Sequence, residues 1–219
     1  MPRQARMVAV GYPHHVTNRG NNREPVFFDD HDRLTYLELL EYYTRQYQAE
    51  IWAYCLMPNH VHLVAIPKTS NALSRGIGYT NQVYTQHINR KYYRSGRIWQ
   101  NRFFSSIVDT DEHLWAVARY VENNPVKAGL AEAAQEYRWS SARHHLEGRP
   151  DDLLPQPGWL QENERGDYRS FITEEDGRTA EIIGKATRSG QPFCGPATLE
   201  KLSRQFTKAG HPKLSAPLR

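Results

Sequence analysis

The sequence predicts an α+β fold of ferredoxin-like (RRM-like) type: an antiparallel sheet with helices on one face, followed by a C-terminal helical extension. Three observations predict it. Apolar residues alternate or run unbroken in four short segments, they recur at helical spacing between those segments, and the resulting order is β-α-β-β-α-β before a further helix.

Residues 8–19 alternate loosely and end at Arg19-Gly20-Asn21-Asn22, a strand running into a turn. Asp29 or Asp30 can cap a helix whose apolar positions Leu34, Leu37, Leu40 and Tyr47 lie near one face. Residues 51–56 read as a second strand, Met57-Pro58-Asn59 as a tight turn and 60–66 as a third strand, which together make a hairpin. A long polar-aromatic helix is expected across 71–93, then a turn at Ser95-Gly96 and a fourth strand over 102–108. Asp109 or Asp111 caps the next helix. It must stop near Asn124, because Pro125 disfavours helical geometry in the residue before it. A further helix is expected over 137–146. Beyond Gly148, prolines and acids suggest a linker, with two short helical patterns near 178–186 and 196–208 and frayed residues from 209. The expected division is a domain over 1–148 and a linker with a basic extension over 149–219.

A chain of 219 residues that is 39% apolar and 11% aromatic can bury a proper core. Cys55 and Cys194 offer at most one disulfide and no metal knuckle, which fits a reducing compartment. With no apolar run of membrane-spanning length and no signal-peptide core, a soluble cytoplasmic protein with no membrane partner is expected. The net charge of +4 is unevenly spread. Between Ile51 and Val108 there is no Asp or Glu, while Lys68, Arg75, Arg90, Lys91, Arg94, Arg97 and Arg102 fall there. Such segregation implies a polyanionic partner. Tyr79, Tyr84, Tyr92, Tyr93 and Trp99 are interleaved with the cations, a combination suited to unpaired bases and their phosphates.

The chemistry concentrates at His60-Val61-His62. A strand sends alternate side chains to opposite faces, so both imidazoles project from one face and can share a divalent metal. A lone His-x-His in a strand is more often structural than ligating. In the following helix, Leu114, Val117, Ala118 and Val121 form the buried stripe, Tyr120 sits at its edge and Asn124 lies four residues on, on the same side. Asn124 either ends the helix before Pro125 or joins the histidines as a third ligand.

These residues sit in blocks that resemble a known family. The blocks are His15-Val16-Thr17-Asn18-Arg19-Gly20-Asn21-Asn22-Arg23, Met57-Pro58-Asn59-His60-Val61-His62, Trp99-Gln100-Asn101-Arg102-Phe103, and Arg119-Tyr120-Val121-Glu122-Asn123-Asn124-Pro125-Val126-Lys127-Ala128-Gly129-Leu130. In this order they resemble the single-tyrosine HUH transposases related to IS200/IS605, and among these the REP-associated tyrosine transposases. The segment Ala186-Thr187-Arg188-Ser189-Gly190-Gln191-Pro192 is similar to the tail of many such proteins.

The resemblance implies cleavage and rejoining of single-stranded hairpin DNA (a repetitive extragenic palindrome) through a 5′-phosphotyrosine on Tyr120. It implies Mg²⁺ or Mn²⁺ held by His60 and His62, with Asn124 where insertion-sequence relatives have glutamine. It also implies a bacterial, nucleoid-associated protein, and a monomer is expected over a homodimer. Candidate DNA contacts are His15, Arg19, Asn21, Asn22, Arg23, Arg75, Arg90 and Arg102. Two other readings are a hairpin-binding protein of the same fold that does not cut, and a zinc hydrolase with no covalent intermediate. The latter needs a third strong ligand that the sequence does not supply.

Overall fold

The computed structural model describes residues 6–208, apart from 110, 157 and 175, and Leu214. Four strands form one antiparallel sheet: β1 (His14–Arg19), β2 (Ala49–Met57), β3 (His60–Pro67) and β4 (Phe104–Ile107), in the order β2-β3-β1-β4. Between β1 and β2 lies α1 (Asp30–Gln46), and between β3 and β4 lies α2 (Ala72–Lys91). The expected β-α-β-β-α-β order is therefore present, with helix ends within a few residues of those read from the sequence.

Local chemistry sets the boundaries. The Asp29 side chain accepts from the Asp32 amide at 2.8 Å while Asp32 accepts from the Asp29 amide at 3.3 Å, a reciprocal cap that starts α1. Gly20 ends β1 where a Cβ would lie 2.2 Å from the Glu24 carbonyl, so no larger residue fits there without moving the turn.

Alternation along β3 divides two cores. Val61, Leu63 and Ala65 face α1 and α2, joining Val16, Tyr36, Leu40, Leu73, Ile77, Tyr84 and Ile88. Val64 faces the other way, with Ala53, Cys55, Met57 and Val108. That second face is covered by α3 (Asp111–Glu122), through Leu114, Val117 and Val121, and by a helix from the far end of the chain, through Ile183 and Ala186. Each fully buried Leu or Ile of these layers contributes roughly 1.5–3 kcal/mol. The sheet thus carries helices on the expected face and a second layer on the other.

After α3 come α4 (Asn124–Lys127), α5 (Ala142–Glu147), α6 (Arg165–Thr173), α7 (Gly177–Ser189) and α8 (Pro196–Lys208). The helix expected over 137–146 begins only at Ala142, because the preceding backbone pairs with the edge of β2 instead: Leu56 N–H donates to Trp139 O at 2.8 Å, and Ser141 N–H to Tyr54 O at 3.0 Å. The opposite edge is covered too, where Phe193 N–H donates to Ile107 O at 2.8 Å beside β4. The frayed segment expected from 209 lies, apart from Leu214, outside the described residues. No helix among the described residues is long and apolar enough to cross a membrane.

Glu122 anchors α3. It is fully buried, and its carboxylate accepts from Ser141 Oγ at 2.5 Å, from His145 Nδ1 at 2.6 Å and from the Tyr168 hydroxyl at 2.9 Å. Glu122→Ala strands three buried donors, and is expected to cost about 3–5 kcal/mol. Urea denaturation measures it; a loss under about 1 kcal/mol would show that the cluster does not hold the helix.

Candidate active site

Antiparallel register brings the site together. Thr17 pairs with His62 and Arg19 with His60, so these four share the face of β1 and β3 that looks toward α3 and α7. His15 lies two residues before Thr17 on that same face. From α3, Tyr120 places its ring edge-on to His15 and His62, at 5.3 and 5.4 Å between centroids. His60 and His62 are 4.9 Å apart. Glu122, two positions and about 200° further round the helix, turns instead into the anchor described above, so one short helix carries the tyrosine on one side and its fastening on the other.

These groups line a cavity of about 170 Å³ with Gln100, Phe104, Asn124, Gly184, Thr187 and Arg188, and among the described residues no carboxylate lines it. Asn124 opens α4 rather than extending α3, and its amide donates to Tyr120 O at 2.5 Å. The Lys127 ammonium lies 5.8 Å from the Tyr120 ring.

Burial sets the charge states. It pushes His60 down to about 4, with Arg19 adding to the effect, and His15 to about 3. His62 is held well below its ordinary value by burial, then by His15, His60 and Arg19. The three imidazoles are neutral at pH 7 and able to offer lone pairs. The Tyr120 hydroxyl is pushed up by burial, while Arg188 and Arg19 pull it back. An oxyanion on Tyr120 is therefore favoured by two guanidiniums and opposed by its surroundings.

The residues present fit a divalent cation. Asn59 spends its amide on Arg23 O at 2.8 Å, so its Oδ1 accepts from His60 Nδ1–H at 2.6 Å and leaves His60 Nε2 unprotonated. A metal-ligating histidine is held in this way by a partner on its other nitrogen. Among the described residues no group of three or more His, Cys, Asp or Glu is arranged to hold an ion. Besides the imidazoles of His60 and His62 the cavity offers the side-chain oxygens of Asn124, Gln100 and Thr17, and among the described residues a zinc hydrolase with three His, Cys or carboxylate ligands lacks its third.

Six residues singled out in the sequence, His15, Arg19, His60, His62, Tyr120 and Asn124, line this one cavity. Asn21, Asn22 and Arg23 form a 3-10 turn beside it, with Asn22 and Arg23 at positive φ, and Gly20 N–H donates to Asn59 O at 2.8 Å. The turn is thereby tied to the residue that orients His60. Arg75, Arg90 and Arg102 are exposed and do not line the cavity, and Arg75 lies 5.8 Å from the Tyr47 ring.

The aromatic reading needs correction. Tyr84 and Trp99 are buried, with the Tyr84 hydroxyl on Val26 O and the Trp99 indole on Asn81 O, so neither offers a face to a base. Tyr92 donates to the Asp29 and Asp32 carboxylates, whereas Tyr93 is 97% exposed. The sequence singles out neither Gly184 nor Thr187, and Arg188 only as one cation of a basic tail that could contact DNA. The only signal was their position in or beside the tail segment 186–192. A Cβ on Gly184 would lie in ordinary contact with the Tyr120 hydroxyl, at 3.4 Å, and more tightly against the Arg188 guanidinium, at 3.1 Å, which places this turn of α7 directly over the tyrosine.

A ferredoxin-like sheet with a strand histidine pair and a helix tyrosine in one cavity defines the single-tyrosine HUH class. The family model described as IS200-like transposase matches residues 9–124. The chain belongs to the IS200-like transposase family. A Haemophilus influenzae protein described as a REP-associated tyrosine transposase is 29% identical over an alignment of 118 residues that covers 48% of this chain and 67% of that protein. A solved structure described as a REP-associated tyrosine transposase bound to a REP hairpin shares the fold. Its TM-score is 0.57 at 20% identity, over 71% of this chain and 89% of that one.

Proposed function

We propose that this protein cleaves and rejoins single-stranded hairpin DNA of the REP type by transesterification at Tyr120. The observation that carries the reading is the Tyr120 ring 5.4 Å from His62, in a cavity lined by Arg19 and Arg188 and, among the described residues, by no carboxylate. In the forward step Tyr120 Oη attacks the scissile phosphorus and loses its proton. The bond to the 3′-oxygen breaks, leaving a 5′-phosphotyrosine and a free 3′-hydroxyl. Arg19 and Arg188 favour the tyrosinate and balance charge on the phosphate oxygens. Asn124, fastened to the backbone of Tyr120, orients the nucleophile's turn. The ester conserves the bond, so attack by a 3′-hydroxyl reverses the step.

His60 and His62 would hold Mg²⁺ or Mn²⁺ through Nε2, with Asn124 Oδ1 as a third donor. When bound, such an ion polarises the phosphate and steadies the leaving oxygen. The mixed imidazole and oxygen donors suit Mn²⁺ better than Mg²⁺.

The turn at residues 19–23 is the proposed docking point for the hairpin, with Arg75, Arg90 and Arg102 as outlying phosphate contacts. Residues 1–148 would form the nuclease domain and 149–219 the extension that supplies α7. Both sheet edges are covered, and the tyrosine and histidines come from one chain, so we infer a monomer that acts in cis.

The test is incubation with a labelled single-stranded hairpin and Mn²⁺, followed by a denaturing gel and mass spectrometry of the peptides. The expected result is a protein–DNA adduct, abolished by chelator, whose 5′-phosphate maps to the peptide containing Tyr120. Cleavage without an adduct would mean that water is the nucleophile; hairpin binding with neither would mean a non-cutting module.

A further inference from the structure

A string of buried hydrogen bonds runs from α7 to one of the two strand histidines. Thr187 donates its hydroxyl proton to Ile183 O at 2.9 Å, so its oxygen accepts from His15 Nδ1–H at 2.6 Å. A neutral imidazole that donates from Nδ1 accepts at Nε2. That atom lies 3.0 Å from His62 Nδ1, which is therefore the donor. His62 Nε2 is left with its lone pair. The string is shut off from water, Thr187 and His15 being 1% exposed and His62 5%, and the two rings lie within 9° of one plane.

The opposite polarity would swing the Thr187 hydroxyl from Ile183 to His15. It would put a proton on His62 Nε2 and close that atom to a metal. The two arrangements share heavy-atom positions and differ only in which nitrogens carry hydrogen. The hydroxyl's bond to Ile183 is what selects between them.

We propose that Thr187, acting through His15, holds His62 in the Nδ1–H tautomer that presents Nε2 to a divalent cation, which makes α7 a positioning element of the metal site. The proposal rests on the reading of His60 and His62 as a metal-binding pair. His15 then belongs neither to the DNA contacts nor to the ligands: it transmits the orientation of one side chain to another. Partners of this kind on a ligating histidine change metal affinity by about 10–100-fold.

Long-range ¹H–¹⁵N correlation spectra of the metal-free full chain read the tautomers directly, and titration with Mn²⁺ alone reads the affinity. In the wild type, His15 and His62 are expected to be protonated on Nδ1. Thr187→Val keeps the shape and removes the acceptor. It should release His15 and His62 from that tautomer and weaken Mn²⁺ binding by about 10–100-fold, while Thr187→Ser restores both.

A wild-type His62 protonated on Nε2 overturns the proposal outright, even if the valine variant does not fold. Unchanged tautomers and an unchanged Mn²⁺ Kd in Thr187→Val overturn it as well. If the tautomers respond as expected but the wild type binds no Mn²⁺, the ordering by Thr187 stands and the metal reading of the pair falls.

Discussion

Tyr120→Phe is expected to keep the stability of the wild type and to form no covalent adduct with DNA at any metal concentration. The ring packs with the apolar layer between the sheet, α3 and α7 and meets His15 and His62 edge-on, contacts that phenylalanine retains. Only the hydroxyl is lost, at the point where α7 passes over it beside Gly184. The variant should unfold within about 0.5 kcal/mol of the wild type, as surface-like changes do. Phenylalanine has no oxygen to attack the phosphorus, so strand cleavage by transesterification should fall by about 10⁴-fold or more, the scale seen when an enzyme loses its nucleophile. Hairpin affinity should stay within about two-fold, an order-of-magnitude expectation for a site whose cations are untouched. Gel assays beside a melting curve decide it. Substantial cleavage by a folded Tyr120→Phe protein would remove the tyrosine from the chemistry.

The metal-free protein is expected to lose stability steeply as the pH falls below about 6.5. Burial lowers His14 to about 4 and His15 to about 3, and it holds His62 well below its ordinary value. The Ala9 amide donates to His14 Nε2 at 3.2 Å and favours the neutral ring, while the Tyr12 carbonyl, accepting from Nδ1–H at 2.8 Å, offsets part of the effect of burial. Between the unfolded value near 6.5 and these lowered values, the unfolded chain holds protons that the folded one lacks, so stability rises with pH across that window and falls on acidification. Each such group contributes a slope of about 1.4 kcal/mol per pH unit. Three acting together give roughly 4 kcal/mol per unit, enough to exhaust a typical domain stability within about two to three units. Urea midpoints taken from pH 7.5 to 4.5 measure it. A flat profile through pH 5.5 would mean that these histidines are charged or solvated in the folded state.

What the sequence disclosed follows from the range over which each signal acts. The hairpin of β2 and β3, the capped start of α1 and the apolar stripe of α3 are set by near neighbours, and all stand where periodicity put them. The shared face of His60 and His62 follows from a strand's two-residue alternation alone. Two features were hidden because their cause lies far along the chain, and a third was overlooked although its cause is local. Ser141 and its neighbours forgo a helix because the edge of β2 satisfies their backbone. Residues 165–173 sit in acid- and proline-rich sequence, and α6 holds there because Tyr168, Phe171 and Ile172 find Trp115 and Trp159 across the fold. Tyr84 is drawn inward by its place on the stripe of α2 with Leu73, Ile77 and Ile88, although charged and polar neighbours surround it in sequence. A cation-and-ring composition does not reveal which rings face water.

The contact between His15 and Thr187 joins residues 172 positions apart, and a ribosome makes one long before the other. At about 5–20 residues per second, roughly 10–35 s separate their synthesis. Throughout that interval the strand histidines, and later Tyr120, exist without Gly184, Thr187 or Arg188 above them. The cavity around Tyr120 therefore lacks the wall that α7 supplies until that late part of the chain has been made. The order of synthesis thus makes the closing of the cavity a late event.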